Sequence, residues 1–217
     1  MNKTSEDEFE ILKWQWAYSN QLYLFDKHDA YWIECAKSGW NSEEHKIEFN
    51  LFLTSYGLKR GKIGKYLADK DNRNNLIEIC NKIFSSNLSK DIYEDAQQRW
   101  NKAVAEIRDD KGFVLASAML KIFWFYHPDK LPMYDSYVRK ALKDKTSKSL
   151  DHNNFLIHFA EYLPVGEQQI QKVEKYFNRK SISYPRVVDM YLWLCGSGQD
   201  ADIIKKYKYS LEKMPLE

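Results

Sequence analysis

Asp135 has the setting in this chain that most invites a chemical role. It follows Pro132-Met133-Tyr134 and precedes Ser136-Tyr137-Val138-Arg139, where a proline-containing loop hands over to a helix. A carboxylate held there can stabilise positive charge developing in a reaction, or help activate a nucleophile. It can equally cap the helix by accepting a first-turn N–H, and the residues alone leave both roles open. Two basic clusters could hold phosphate. Lys59-Arg60-Gly61-Lys62-Ile63-Gly64-Lys65 sets two glycines among its cations, so the backbone could approach an anion closely. Arg139, Lys140, Lys143, Lys145 and Lys148 follow directly after Asp135. A solvated turn and a solvated helix face would explain the same clusters. Trp124, Phe125, Tyr126 and Tyr134 could line an aromatic pocket or a stacking surface. The first three also lie in an apolar run at helical spacing, which is the pattern of core residues.

Other chemistries lack their residues. His28, His45, His127, His152 and His158 show no ligand spacing and no HExxH occurs, so neither a metal nor another cofactor is expected. Walker, Rossmann and GxSxG patterns are absent. His127, ahead of Pro128, is expected to bond a carbonyl at a helix end, with proton shuttling as the alternative. Arg186 and Asp189, three apart, are placed to pair on a helix. Cys35, Cys80 and Cys195 are widely separated and odd in number, which suits a reducing compartment. The N-terminus is polar and acidic, unlike a signal peptide. The cytoplasm is therefore the expected location. The apolar run from Phe113 to Tyr126 is interrupted by Lys121 and too short to span a bilayer, so no membrane partner is expected.

The elements that must position these residues read as helices. Only 8 Gly and 5 Pro occur in 217 residues, and 44% of residues are hydrophobic, ample for a core. Ser5-x-x-Glu8, Asn41-x-x-Glu44 and Asp91-x-x-Glu94 read as helix starts. A helix is expected over Asn72–Phe84, with Leu76, Ile79, Cys80 and Ile83 on one stripe. Phe113–Tyr126 is apolar nearly all round and predicts a buried central helix. Further helices are expected after Asp135, over Phe155–Tyr162 before Pro164, over Glu167–Phe177, from Pro185 to Cys195 with Gly196 closing it, and over Ala201–Leu211. The fold class is all-α: a compact multi-helix domain over 1–217, or two helical lobes of about 1–110 and 111–217. The formal net charge is +2, with 26 Lys against 7 Arg among the 33 basic residues. That surplus of Lys reads first as a solubilising surface, and DNA as a partner then depends on local patches.

The stretch from Gly112 to Leu142, a buried helix, a proline loop, then Asp135 and a second helix, resembles the helix-hairpin-helix base-excision DNA glycosylases, including the 8-oxoguanine type. It is also similar to a group of small bacterial helical proteins with a "Pro-Asp, Pro-x-Tyr-Asp" run, a group that Arg186-Val-Val-Asp-Met-Tyr-Leu-Trp193 fits too. The resemblance covers roughly a third of the chain. It implies a glycosylase-like fold, DNA as partner, a DNA-repair role cleaving an N-glycosidic bond, and Asp135 as the catalytic carboxylate, which that family presents as the Asp of a Pro-x-Asp just before a helix. Here the match is one residue longer. The family's hairpin turn is Gly-rich, whereas this chain has Arg108-Asp109-Asp110-Lys111-Gly112. No amine stands at Ala116 or Ser117, where lyase members place a Lys, so no Schiff base is implied. The alternative reading is a non-catalytic binding or regulatory module in which Asp135 is a helix cap.

Overall fold

A chain rich in aromatics, poor in turn residues and periodic at three to four buries its apolar surface by packing helix on helix. The computed structural model describes residues 3–40, 43–58, 61–107, 116–147, 150–181 and 183–213, and no strand occurs among them. In chain order the helices are α1 (Lys3–Leu24), α2 (Ala30–Lys37), α3 (Glu43–Ser55), α4 (Gly61–Ala68), α5 (Lys70–Phe84) and α6 (Ile92–Glu106). They continue as α7 (Ala116–Tyr126), α8 (Ser136–Thr146), α9 (Phe155–Glu174), α10 (Tyr184–Ser197) and α11 (Asp200–Lys213). A π-helical turn, Phe25–Asp29, joins α1 to α2.

The chain divides into two units, Met1–Asp26 with Asp129–Glu217, and Lys27–Pro128. These are not sequential lobes split near residue 110. The first helix groups with the C-terminal half because its buried face, Trp14, Ala17 and Tyr18, packs against α9 and α10. In this first unit α10 is central and contacts α1, α8, α9 and α11. Trp14 stacks face to face on Tyr191, with ring centres 3.8 Å apart. Ser183 caps α10, its Oγ accepting the Arg186 N–H at 3.1 Å, and Pro185 sits in the first turn.

Two expected helix ends fall elsewhere. α10 runs past Gly196 to Ser197, and Gly198, at φ 70°, is the left-handed cap. Gly196 stays helical because α8 crosses there: a Cβ at Gly196 would overlap the Tyr137 carbonyl oxygen. α9 continues through Pro164 instead of stopping at Tyr162 and restarting at Glu167. Pro164 is exposed, so water can take up the carbonyl that its missing N–H frees. Buried Phe159, Gly166 and Ile170 hold the helix on its neighbours on either side of the proline.

In the second unit α7 is the buried helix that its composition predicts. Ala116, Ala118, Met119, Leu120, Ile122, Phe123, Trp124 and Phe125 are all buried, and α7 packs against α2, α5 and α6. The expected start at Phe113 lies outside the described residues, as does Asn41. Phe123 stacks on Phe84 at 4.0 Å. α5 begins two residues before Asn72, because Asp69 caps it by accepting the N–H groups of Asp71 and Asn72. Arg99 on α6 clamps the α5–α6 loop, donating to Asp95 and to the Ser86 and Asn87 carbonyls. Buried Asp29 accepts from the Tyr56 hydroxyl and bonds His28 Nδ1 at 2.8 Å.

Candidate phosphate-binding site on α8

The site begins with the loop that enters α8. Leu131, Pro132, Met133 and Tyr134 are all buried. Their placement depends on Asp189, which is fully buried on α10 and accepts the Met133 N–H at 2.5 Å and Arg186 Nη1 at 2.5 Å. Arg186 and Asp189 therefore do pair, and the carboxylate also anchors the loop. Burial pushes the Asp189 carboxyl up to about 6 even though the Arg186 cation and the Met133 N–H oppose the rise; the Asp135 charge adds to it. Tyr134 packs edge-on against Phe155 at 4.8 Å. Burial raises its pKa, and a hydrogen bond with Arg139 opposes that.

Asp135 stands next, half-buried and extended (φ −139°, ψ 156°), and its carboxylate accepts the Tyr137 N–H at 2.9 Å. This is N-cap geometry, one of the two roles its position allowed. Beyond the cap, the 3.6-residue period sorts α8 into two faces. Val138, Ala141 and Leu142 turn inward and are buried. Ser136, Tyr137, Arg139, Lys140 and Lys143, together with Leu150, line a depression of about 480 Å³. Lys140 and Lys143 are exposed and form no ion pair among the described residues. Lys145 lies apart from this group, its Nζ 5.2 Å from the Tyr191 ring centre. Lys148 lies outside the described residues.

The remaining candidates are distributed differently. Trp124 is fully buried, edge-on to Phe125 at 4.7 Å. The Tyr126 hydroxyl donates to Asn81 Oδ1 at 2.7 Å, and burial raises its pKa. Trp124 belongs to the core of the second unit and Tyr126 is half-buried in the same unit, whereas Tyr134 and Asp135 belong to the first. Lys59 and Arg60 lie outside the described residues, as does the side chain of Lys62. Gly61 and Gly64 of that cluster are helical, within α4. His127 is buried with Nε2 2.8 Å from the Phe84 carbonyl, the helix-end role expected of it. Among the described residues no group of three or more His, Cys, Asp or Glu is placed to hold a metal ion. No helix there is long and apolar enough to cross a membrane.

The structure thus gathers Asp135, Arg139, Lys140 and Lys143 along one helix. No family model, curated protein or solved structure matches the chain. Ser136, Tyr137 and Leu150 were not legible as part of a site. The signal for the first two was nonetheless present, since on a helix they share a face with Arg139, Lys140 and Lys143. Asp189 as loop anchor carried no signal beyond its spacing from Arg186.

Proposed function

We propose that the protein binds the phosphate backbone of nucleic acid through Arg139, Lys140 and Lys143, as a binding module in which Asp135 caps the helix that carries them. One observation supports this most: three cations from two successive turns of α8 line a single depression that has no acidic residue among its described lining. Clustered cations release counterions when they meet phosphates, and that term dominates binding to nucleic acid. Arg139 adds a planar fork suited to phosphate oxygens. The carboxylate of Asp135 is engaged with the Tyr137 N–H, as a cap requires.

The test is fluorescence anisotropy on a labelled oligonucleotide at low salt, with wild type and a triple variant, Arg139→Glu, Lys140→Glu and Lys143→Glu. Affinity should fall at least tenfold while the helical circular-dichroism spectrum is unchanged. Equal binding by the two proteins would remove α8 from the interface.

A second reading, that Asp135 serves an N-glycosidic cleavage, draws on the rigidity of its loop. Asp189 holds Met133, two residues before Asp135, and Ser136 immediately after it lines the depression. A carboxylate fixed beside bound phosphate could stabilise charge developing on the sugar. Wild type and Asp135→Asn assayed on DNA carrying oxidised, alkylated and deaminated bases decide this reading. Base release by wild type that the Asn variant loses would support it, and an inert wild type would end it.

A further inference from the structure

Among the described lining of the depression on α8 stands an exposed aromatic side chain that phosphate binding leaves unexplained. Tyr137 lies on its edge with 44% of its surface exposed. Its ring meets Trp193 edge to face, 6.0 Å between centres and 84° between planes. Trp193 in turn stacks on Trp16 at 6.3 Å and 19°. The Tyr137 backbone is held from both ends. Its N–H donates to Asp135, and its carbonyl lies against Gly196 where α8 crosses α10. An exposed ring so supported loses little freedom when something packs on it.

We propose that the nucleic acid bound on α8 is single-stranded and that one of its unpaired bases stacks on Tyr137 while neighbouring phosphates meet Arg139, Lys140 and Lys143. This rests on the phosphate-binding reading and adds the strand type to it. A duplex keeps its base faces inside the stack and offers an aromatic ring nothing to stack on, whereas an unpaired base of any identity presents a π-face. Cations beside an aromatic platform match both parts of a single strand, the charged backbone and the flat base. The exposed Tyr209 on α11 serves as a contrast. Its surface also holds Lys205, Lys206 and Lys208, but includes Asp202, and Lys208 there pairs with Glu8. Charge on that surface is offset by carboxylates.

The experiment measures the affinity of the full chain for labelled oligo(dT), oligo(U) and a DNA duplex of the same length, at one low salt concentration. The proteins are wild type, Tyr137→Leu, Tyr137→Phe, Tyr209→Leu and the α8 triple charge variant. Wild type should prefer a single strand to duplex. Tyr137→Leu should weaken single-strand binding about tenfold and leave duplex binding unchanged, because stacking on one aromatic is worth about that factor. Tyr137→Phe keeps the ring and should bind as wild type, as should Tyr209→Leu. The two single-strand arms distinguish DNA from RNA as the source of the base, and Tyr137 dependence in either supports the inference. Two results would overturn strand selection yet leave phosphate binding standing: duplex bound as well as single strand, or Tyr137→Leu binding oligo(dT) and oligo(U) like wild type while the charge variant fails. A charge variant that binds like wild type, or a wild type that binds none of the three, would overturn both.

Discussion

Asp189 accepts the Met133 N–H at 2.5 Å from a position 56 residues further along the chain. The loop that delivers Asp135 to the start of α8 is therefore positioned by α10, through a buried carboxylate that Arg186 also holds. An unpaired buried charge is costly, so such a carboxylate persists where its hydrogen bonds are satisfied.

That arrangement makes stability depend on pH. The folded-state pKa of Asp189, about 6, lies above the ordinary value of 3.8, so the folded protein holds this proton more tightly than the unfolded chain does. The stability this contributes is fully present below about pH 4 and is lost as pH rises through about 6, a change of roughly 3 kcal/mol. Urea unfolding of wild type and Asp189→Asn at pH 4 and pH 7 should show wild type losing stability relative to the variant as pH rises. Parallel behaviour would mean that Asp189 does not titrate in this window.

The Asp135 cap predicts a graded series. Asp135→Ala should cost about 1 kcal/mol, and Asp135→Asn close to nothing, because an amide oxygen also accepts the Tyr137 N–H. For a chain of this length the Ala variant should melt about 2–4 °C lower. Equal melting of Ala and wild type would deny the cap its role.

Binding through three cations sets the salt dependence. Neutralising three phosphates gives a slope of log affinity against log salt of about −2.7 for duplex and about −2.1 for a single strand. Titrations at several salt concentrations measure it. Each of Lys140→Ala and Lys143→Ala should make the slope shallower by about one contact, and an unchanged slope would remove that lysine from the interface.

Gly196→Ala forces α8 and α10 apart, because the new methyl would overlap the backbone carbonyl of Tyr137. The expected cost is about 1–3 kcal/mol. Gly198→Ala meets nothing within 4 Å but must hold φ near 70°, costing about 1 kcal/mol from backbone strain alone. Chemical denaturation of the two variants separates clash from strain. A Gly196→Ala protein as stable as wild type would show that the helices do not approach so closely.

Leu120 is fully buried on α7, so Leu120→Ala should cost about 2–5 kcal/mol. Lys121→Ala, at the next position but only half-buried, should change stability by less than about 1 kcal/mol. Comparable losses at both positions would contradict the burial pattern of this helix.

The all-α class, the buried character of α7, the cap at Asp135, the Arg186–Asp189 pair and the carbonyl bond of His127 were legible in the residues themselves. Each rests on local physics: the 3.6-residue period, the preference of Asp for helix starts, i,i+3 spacing, and a helix ending before proline. Several features were decided elsewhere. Pro164 and Gly196 carry local signals to stop a helix, yet both lie within one, because burial of Phe159, Gly166 and Ile170 and the crossing of α8 over α10 outweigh a local preference of a few kcal/mol. Trp124 looks from its residue type as suited to a pocket as to a core, and only packing against helices distant in sequence makes it core. Grouping α1 with the C-terminal helices, anchoring Met133 on Asp189 and supporting Tyr137 on Trp193 all join residues more than fifty positions apart. Local periodicity carries no information about such pairings, because they are selected by which helix faces bury the most apolar surface against one another.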